Sequence, residues 1–291
     1  MRKKILLTGA TGFLGSVLAK ELIKYGYSVV SLKRQSSSTH RIRSILSAIT
    51  FYNTEDLDYS LLFRENPDIS AVIHTATNYG RGGESVSEIF DANIGFPLRL
   101  LDAACAAGVK TFINTDTILD KYLNIYSLSK SQFLQWGEFY VLRSDVQFIN
   151  MRLEHIYGPG DDSWKFATYV INSCAKNVPN LKLTLGEQRR DFIHVDDVVS
   201  AYVLVLEKSN ELLGTFIQFD VGSGSAVSIR DFANTVHRIT NSNTRLLFGA
   251  LPYREGEIMH SEADISALVK LGWRCRVSLE KGIQLTLNSM R

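Results

Sequence analysis

The sequence has few of the features that mark several classes of protein. Its three cysteines, Cys105, Cys174 and Cys275, lie far apart, and no Cys-x-x-Cys occurs, so neither a disulfide framework nor a zinc site is predicted. No apolar run is long enough for a membrane span, and the run near the N-terminus is too short for a signal peptide. The net charge of +2 gives no general attraction to nucleic acid or membrane. We therefore expect a cytoplasmic protein that uses no metal and binds neither nucleic acid nor membrane.

What the sequence does contain is the pattern of an α/β protein. Hydrophobic residues make up 45% of the 291 residues and charged residues 21%, which is ordinary globular composition with enough apolar surface for a large core. Short β-rich runs alternate with helical segments through the first half, which predicts a doubly wound parallel sheet of the Rossmann type. The predicted strands are residues 5–7, 28–32, 49–52, 71–75, 111–114 and 147–151.

The second half of the chain has a less regular pattern and predicts a smaller α/β lobe. Its predicted elements are a helix over 164–176, a strand over 182–185, and a helix that begins within 188–197 and runs to Glu207. We expect residues 1–153 to form a cofactor-binding domain, joined by residues 191–208. Residues 154–291 are then expected to form a substrate-binding lobe.

A glycine-rich turn follows the first predicted strand. Its glycines are spaced Gly-x-x-Gly-x-x-Gly between that strand and a helical pattern, which is the context of a dinucleotide-binding fingerprint. The first glycine permits the tight turn, the second lets the backbone approach a pyrophosphate, and the third lets helix pack on strand. The phosphates would meet the amides at the start of the helix, and the alternative is a turn without a ligand. The residues assigned to the cofactor are Gly9, Thr11, Gly12, Phe13, Leu14 and Gly15.

The end of the second predicted strand distinguishes the two nicotinamide cofactors. An acidic residue there would bind the adenosine ribose 2′-hydroxyl and repel a 2′-phosphate. The chain instead has Lys33 and Arg34, with no acid before Glu55. Because cations pair with phosphate, NADP(H) is predicted over NAD(H), and a solvated basic loop is the alternative. Asp56 and Leu57, beyond the third predicted strand, are expected to border the adenine.

A tyrosine and a lysine stand four residues apart after the fifth predicted strand. Tyr126 and Lys130 lie in a segment with a helical pattern, so they share one helix face. An ammonium beside a phenol stabilises the phenolate, which predicts a Tyr126 pKa below its usual value of about 10. Thr115, at the end of the strand, would add a second hydroxyl to the same carbonyl oxygen. This set could move a proton while a hydride moves, and the alternative is an exposed helix with an unrelated Tyr and Lys.

The position of these motifs favours the catalytic interpretation. The glycine-rich turn, Lys33, Ala76 and Thr115 all follow predicted strands of one parallel sheet. Ligands of such sheets bind beyond the carboxyl ends of the strands, so independent features converge on one place. His74 lies within a predicted strand and is interpreted as a core residue rather than a base.

With these motifs the chain resembles the extended short-chain dehydrogenase/reductase family, the NAD-dependent epimerase/dehydratase group. The resemblance runs nearly end to end. It is carried by Thr8-Gly-Ala-Thr-Gly-Phe-Leu-Gly15, Val72-Ile-His-Thr-Ala76, Asn93, Tyr126-Ser-Leu-Ser-Lys130, Tyr157-Gly-Pro-Gly160, Arg190-Asp-Phe-Ile-His-Val-Asp-Asp197 and Leu271-Gly-Trp273. Three further segments resemble reductases of CDP-linked 3,6-dideoxyhexoses: Asn114-Thr-Asp116, Met151-Arg-Leu-Glu-His-Ile-Tyr-Gly-Pro-Gly-Asp161 and Gly186-Glu-Gln188.

The resemblance implies roles for individual residues. Tyr126 would be the acid/base, Lys130 would hold the nicotinamide ribose, and Thr115 would orient the carbonyl. Further cofactor contacts are implied at Thr75, Ala76, Thr77 and Asn93. Substrate contacts are implied at Tyr79, Asp116, Arg152, Glu154, Arg190 and Arg254, of which the last two would meet the phosphates of a nucleotide sugar. The alternatives are a local turn contact for Asp116 and a surface salt bridge for each arginine. The family habit implies a homodimer through the Tyr126 helix.

One departure from the family pattern separates reaction classes. The 4,6-dehydratases of this family carry Thr-Asp-Glu after the fifth strand, whereas this chain has Thr115-Asp116-Thr117. A threonine hydroxyl cannot take the C5 proton as a carboxylate does, which argues against dehydration. We therefore predict NADPH-dependent reduction of the C4 keto group of an NDP-4-keto-6-deoxyhexose, by resemblance a CDP-3,6-dideoxyhexose for O-antigen synthesis. The alternatives are a 4-epimerase that retains NAD(H) and a non-catalytic NADP(H)-sensing protein.

Overall fold

A seven-stranded parallel sheet with flanking helices dominates the computed structural model, which describes residues 3–290. The strands are β1 Lys4–Thr8, β2 Ser28–Lys33, β3 Ile49–Asn53, β4 Ile69–His74, β5 Thr111–Thr117, β6 Gln147–Leu153, β7 His155–Tyr157, β8 Asn180–Lys182, β9 Arg189–His194, β10 Phe216–Val221, β11 Ala226–Ser228 and β12 Arg245–Leu247. The large sheet has the order β10-β6-β5-β4-β1-β2-β3. This arrangement confirms the predicted α/β Rossmann fold.

Helices connect these strands. They are α1 Phe13–Lys24, α2 Tyr59–Glu65, α3 Val86–Phe90, α4 Phe96–Ala106, α5 Ile125–Val141, α6 Phe166–Ala175, α7 Val195–Lys208, α8 Ile229–Thr240, α9 Ser266–Lys270 and α10 Leu279–Asn288. Two 3₁₀ segments cover His40–Ala48 and Ser209–Glu211, and a π-helical segment covers Asp91–Gly95. Within residues 3–290, no helix combines the length and the apolarity needed to cross a membrane.

The chain divides into two compact units. Unit 1 comprises residues 1–152 and 202–219, and unit 2 comprises residues 153–201 and 220–291. The segment that rejoins unit 1 is therefore 202–219, where the sequence led us to expect 191–208. The reason is that β10, which ends at Val221, pairs with β6 in the large sheet and carries the chain on past residue 208.

Unit 1 is built on strands that are buried along nearly their whole length. Ile5, Leu6 and Leu7 of β1 have no exposed surface, as expected for a central strand with helices on both faces. The helix α5 packs closely on this sheet, because a Cβ on Gly137 would lie 2.5 Å from the Phe148 ring of β6. This close approach fixes the height of α5, and with it the positions of the side chains at its start.

Unit 2 has two small sheets, β11-β9-β7 and β12-β8. The helix predicted to begin within 188–197 does begin there, at Val195 as α7, but residues 189–194 before it form β9, which pairs with β7 and β11 and was not predicted as a strand. The predicted strand over 182–185 is also displaced, since β8 ends at Lys182. A short run of apolar residues is compatible with both a strand and a helix, and here pairing with neighbouring strands determines which of the two forms.

Two features of unit 1 bear on the site. Strand β5 continues to Thr117, three residues beyond the predicted end, so Asp116 is buried while Thr115 and Thr117 are half-buried. Residues 86–106 form three consecutive segments, α3, the π-helical segment and α4, and Pro97 lies in the first turn of α4. Proline is tolerated there because its missing N–H would have no partner in the first turn.

Candidate active site

The glycine-rich turn leaves room for a ligand at the start of α1. Gly9 has a φ of +74°, and a Cβ there would lie 2.7 Å from Thr75 Oγ1 and 2.8 Å from the Ala76 amide. A Cβ on Gly15 would lie 2.1 Å from the Gly9 carbonyl oxygen, so only glycine lets helix and turn pack this closely. No side chain caps the helix at Gly12. The uncapped start of this 12-residue helix, behind a turn that contains Gly9 and Gly12, fits a pyrophosphate.

Hydrogen bonds connect the ends of β1 and β4 beside this turn. Thr8 Oγ1 accepts hydrogen bonds from the Thr75 and Ala76 amides at 3.2 Å and lies 2.8 Å from His74 Nδ1. His74 is fully buried, in agreement with its interpretation as a core residue. Thr75 and Ala76 are thus brought against Gly9, where the sequence places the cofactor.

Asn93 organises the loop after β4 from within the π-helical segment. Its carbonyl oxygen accepts from Thr77 Oγ1 at 3.1 Å and from the Asn78 amide at 2.7 Å. Its amide group donates to the Asn78 carbonyl at 2.8 Å and to Ser129 Oγ at 2.9 Å. All of its hydrogen-bonding capacity is therefore used within the chain. Asn93 joins this loop to α5, and Thr77 lies in the same network.

The structure brings an acidic residue, Glu55, close to the basic segment after β2, from which it is distant in the sequence. Glu55, after β3, accepts a hydrogen bond from the Gln35 amide at 2.8 Å, so its carboxylate lies beside the loop that follows β2. That bond lowers the Glu55 pKa, and Lys33 contributes in the same direction. Lys33 is half-buried and its ammonium lies 3.5 Å from Asn53 Oδ1, while Arg34 and Asp56 are exposed and Leu57 is half-buried. Parallel neighbouring strands bring these loops together, which no local sequence window shows.

A capping box fixes the start of α5. The Asn124 side chain accepts from the Ser127 amide at 2.9 Å, and Ser127 Oγ accepts from the Asn124 amide at 3.3 Å. Tyr126 follows in the first turn, and Lys130 lies one turn later on the buried face. Ser129 Oγ donates to the Tyr126 carbonyl at 2.8 Å. The pair that the sequence singled out is therefore held rigidly in unit 1.

The environment of Tyr126 reverses the predicted direction of its pKa shift. Burial raises the Tyr126 pKa well above its usual value, and Tyr79 and Asp116 add to this effect. A hydrogen bond with Thr117 acts in the opposite direction but is weaker. The predicted decrease is therefore wrong, because burial of the phenol disfavours the charged phenolate. Tyr126 is a phenol that keeps its proton.

Lys130 is a buried cation, with 2% of its surface exposed. Burial lowers the Lys130 pKa to about 8, although Asp116 acts to raise it. The ammonium is thus costly to keep in the folded chain near neutral pH. A ligand that brings negative charge or hydroxyl acceptors would relieve that cost.

Asp116 lies in a buried hydrogen-bonded network between β5 and β6. Its carboxylate accepts from the Thr117 amide at 2.8 Å and from Asn150 Nδ2 at 2.9 Å. Asn150 Oδ1 in turn accepts from Asn114 Nδ2 at 2.8 Å. Asp116 is 5% exposed, so the structure shows it holding the end of β5. Tyr79, by contrast, is exposed, and its ring lies 4.9 Å from that of Tyr126.

Thr115 has a partner that sequence reasoning missed. Its hydroxyl lies 2.7 Å from the hydroxyl of Tyr202, which is fully buried on α7. The two residues are 87 positions apart in the chain, so no local motif could reveal the contact. We refer to Thr115, Thr117, Tyr126, Lys130 and Tyr202, all in unit 1, as the Tyr126 cluster.

A second polar group, the Arg190 cluster of Glu154, His155, Arg190, Glu257 and Ser261, lies in unit 2. Arg190 is 9% exposed and donates to Glu257 at 2.5 Å. Burial lowers the Arg190 pKa, while Glu257 and Glu154 act to raise it. Buried Glu154 accepts from Ser261 Oγ at 2.5 Å and lies 2.9 Å from His155 Nδ1.

The remaining predicted substrate residues are Arg254 and Arg152. Arg254 is exposed and begins the turn in which the Glu257 amide donates to its carbonyl at 3.1 Å. It therefore shares a turn with the carboxylate that pairs with Arg190. Arg152 is half-buried and is the last residue of unit 1 before the chain enters unit 2.

Comparison with known proteins identifies the family. The model of the NAD dependent epimerase/dehydratase family matches residues 5–217. The chain belongs to this family. It is an oxidoreductase of the short-chain dehydrogenase/reductase type, which confirms the family resemblance.

Its relatives include two curated enzymes of one kind. CDP-abequose synthase of Salmonella muenchen is 37% identical over 99% of this chain and 98% of its own length. CDP-abequose synthase of Salmonella typhimurium is 36% identical over 100% of this chain and 99% of its own length. Among solved structures, UDP-glucose 4-epimerase of Thermotoga maritima with UDP-glucose has a TM-score of 0.86 at 24% identity, covering 99% of this chain and 98% of that one. That structural likeness agrees with the Rossmann fold.

Proposed function

We propose that the protein uses NADPH to reduce the C4 keto group of an NDP-4-keto-6-deoxyhexose, specifically a CDP-linked 3,6-dideoxyhexose. The product would be a deoxysugar nucleotide for polysaccharide such as O-antigen. The observation that carries the proposal is a phenol that keeps its proton, Tyr126, one helical turn from the buried ammonium of Lys130. The end-to-end similarity to CDP-abequose synthases supports the choice of substrate class.

The mechanism follows from what these side chains can do. NADPH, when bound, supplies the hydride that goes to C4 of the sugar. Tyr126, whose pKa is raised, donates its proton to the developing alkoxide, which is far more basic than a phenolate. Lys130 stabilises the phenolate that remains. Thr115 donates a second hydrogen bond to the same oxygen, and such donors placed at developing charge usually contribute most to the rate.

The same residues argue for reduction over other reactions of the family. Thr117 stands where a dehydratase needs a carboxylate base, and its hydroxyl bonds to Tyr126. A raised Tyr126 pKa suits a proton donor, whereas a 4-epimerase must also use this residue as a base to oxidise C4. In unit 2 we assign the nucleotide of the substrate to Arg190 and Arg254, since guanidinium groups bind phosphates in bidentate geometry.

We assign NADP(H) as the cofactor on the strength of Lys33 and Arg34, which a nearby Glu55 opposes. Two matched variants test this balance through the ratio of kcat/KM for NADPH to that for NADH. Lys33→Ala should lower the ratio about tenfold because it removes a phosphate partner. Glu55→Gln should raise the ratio, because it removes one negative charge that would repel the 2′-phosphate of NADPH. A ratio that stays constant in both variants would contradict the assignment.

We also expect a homodimer formed through α5. Leu128, Trp136 and Phe139 leave 37%, 41% and 41% of their surfaces exposed on this helix. Large apolar side chains exposed together on one surface are typical of a site that packs against another protein. Light scattering should give twice the chain mass, and replacing Trp136 and Phe139 together by Glu should give a monomer.

The experiment that tests the function is an NADPH-oxidation assay over CDP-, dTDP-, GDP- and UDP-linked 4-keto-6-deoxy sugars, with NMR of the product. We expect the fastest turnover with the CDP-linked 3,6-dideoxy sugar and a product with a hydroxyl at C4. Purified protein that carries stoichiometric NAD(H) and interconverts C4 epimers without added NADPH would show a 4-epimerase instead. Absence of turnover on every sugar would favour a cofactor-sensing protein.

A further inference from the structure

The contact between Thr115 and Tyr202 has no role in the reaction described so far. Tyr202 lies on α7, outside every motif that identified the family, yet its hydroxyl is 2.7 Å from that of Thr115. We propose that Tyr202 is a positioning residue for C4 reduction. Its hydroxyl donates to Thr115 Oγ1 and so directs the Thr115 proton to the C4 oxygen of the substrate. This inference rests on the proposed function.

The chemistry of the two hydroxyls decides which one donates. A phenol is a much stronger acid than an aliphatic alcohol, so Tyr202 is the better donor and Thr115 the better acceptor. Thr115 has one proton and two lone pairs, and accepting from Tyr202 leaves the proton available for a third group. With the opposite polarity Thr115 could only accept from its surroundings, and it could not stabilise an alkoxide.

The surroundings of Tyr202 keep that polarity fixed. Tyr202 is fully buried, and burial raises its pKa by more than the hydrogen bond with Thr115 lowers it, so the phenol remains protonated at any working pH. Asp116 acts on Tyr202 in the same direction. The carboxylate oxygens of Asp116 are themselves engaged by the Thr117 amide and by Asn150. The hydrogen bond that the structure records for the Tyr202 hydroxyl, within the described chain, joins it to Thr115.

A fixed donor behind Thr115 has a consequence for the rate. Bonds in a chain of hydroxyls polarise one another, which strengthens the bond that Thr115 makes to negative charge. A hydroxyl held in one orientation also needs no reorganisation when the charge develops. The benefit therefore appears in the transition state more than in the bound substrate, and so in kcat more than in KM.

The test is a double-mutant cycle on the full chain, with NADPH oxidation measured on the sugar that gives turnover. Tyr202→Phe keeps the ring and removes only the hydroxyl, so the fold should survive, and circular dichroism checks it. We expect kcat to fall about tenfold while KM changes by less than about twofold, and Thr115→Val to lower kcat about 10²-fold. In the Thr115→Val background, Tyr202→Phe should change kcat by less than about twofold, because its only target is gone.

A matched control removes a different tyrosine hydroxyl in unit 1. Tyr140 donates to Asp102 at 2.7 Å and has no contact with Thr115, so Tyr140→Phe should leave kcat and KM within about twofold of the wild type. Wild-type kcat in Tyr202→Phe, or losses that simply multiply in the double variant, would overturn the inference. Tyr126→Phe separates this outcome from a failure of the proposed function. If Tyr126→Phe is inactive and Tyr202→Phe is fully active, the proposed role of Tyr202 is contradicted and the proposed function is not.

Discussion

The Tyr126 cluster and the Arg190 cluster are both buried and polar, but they treat charge in opposite ways. In the Tyr126 cluster hydroxyls bond to one another, and a single cation, Lys130, has its pKa lowered by burial to about 8. In the Arg190 cluster the cation is paired with Glu257 at 2.5 Å, and Glu154 lies close enough to raise the Arg190 pKa. Among the described residues, Lys130 has no ion-pair partner, although the charge of Asp116 acts to raise its pKa, whereas Arg190 is neutralised by a carboxylate of the chain.

The difference indicates different tasks. A buried cation without an ion-pair partner favours the arrival of new negative charge, as on an alkoxide or a phenolate, which suits catalysis. A cation already paired with carboxylates gains less from an anionic ligand, because the ligand must compete with Glu257 or rearrange it. We therefore expect changes in the Tyr126 cluster to alter kcat and changes in the Arg190 cluster to alter KM and stability.

The largest effect is expected from Tyr126→Phe, which removes the proton donor and little else. General acid catalysis contributes about 10²- to 10⁴-fold, so kcat should fall by that factor while KM stays within about threefold. Steady-state kinetics with NADPH and the sugar nucleotide measures both constants. Near-normal turnover in this variant would remove Tyr126 from the mechanism.

The second effect concerns Arg190→Met in the other cluster. Removing the guanidinium leaves Glu154 and Glu257 without their cation, and breaking a buried ion pair typically costs about 3 kcal/mol of unfolding free energy. KM for the sugar nucleotide should rise at least about tenfold while kcat changes little. Arg190→Lys is the control, since it keeps the charge and should lose less of both. A variant that is more stable than the wild type with an unchanged KM would show that the pair does not have this role.

The third effect is a gain in stability together with a loss of activity when Lys130 is replaced. Burial lowers the Lys130 pKa to about 8, from a usual 10.5, so folding disfavours the charged form. Lys130→Met should raise the unfolding free energy at neutral pH by about 1–3 kcal/mol while reduction is lost. The gain should shrink between pH 8 and pH 10.5, because there the wild-type lysine is neutral when folded and still charged when unfolded. Urea titrations of both proteins at several pH values check the direction, and a less stable variant would contradict it.

The smallest effect is a pH dependence set by the same residue. Lys130 is an ammonium below a pKa of about 8, so kcat/KM for NADPH should fall by at most about tenfold per pH unit above it. Tyr126 adds no decline in this range, because its pKa is raised and it stays protonated. Lys130→Arg, if active, should lack the decline, since arginine keeps its charge. A flat wild-type profile from pH 7 to pH 10 would contradict the assignment.

The Rossmann sheet could be predicted because its cause is local. Residues 5–7, the glycines of the turn and the helical pattern that follows are contiguous, and each element shows its own periodicity. The strand β9 could not be distinguished from a helix, because the apolar residues of 192–199 fit both periods until the partner strands are known. Unit 2 was therefore predicted less accurately than unit 1.

The site shows the same limit. Tyr126, Lys130 and Thr115 were found from spacing, and the structure holds them in one unit. The direction of the Tyr126 pKa shift was wrong, because spacing shows the nearby ammonium and not the burial of the phenol. Tyr202 and Glu55 were missed because each meets its partner only through the packing of distant segments.

The central claim is that hydride passes from NADPH to C4 of a sugar while Tyr126 supplies the proton. A single turnover with NADPH deuterated at both C4 positions, on a CDP-linked 4-keto-3,6-dideoxyhexose, tests it directly by NMR of the product. We predict one deuterium per molecule at C4 of the sugar and none at C5, with no transfer in Tyr126→Phe. Deuterium absent from C4, or a product formed without consumption of NADPH, would contradict the account.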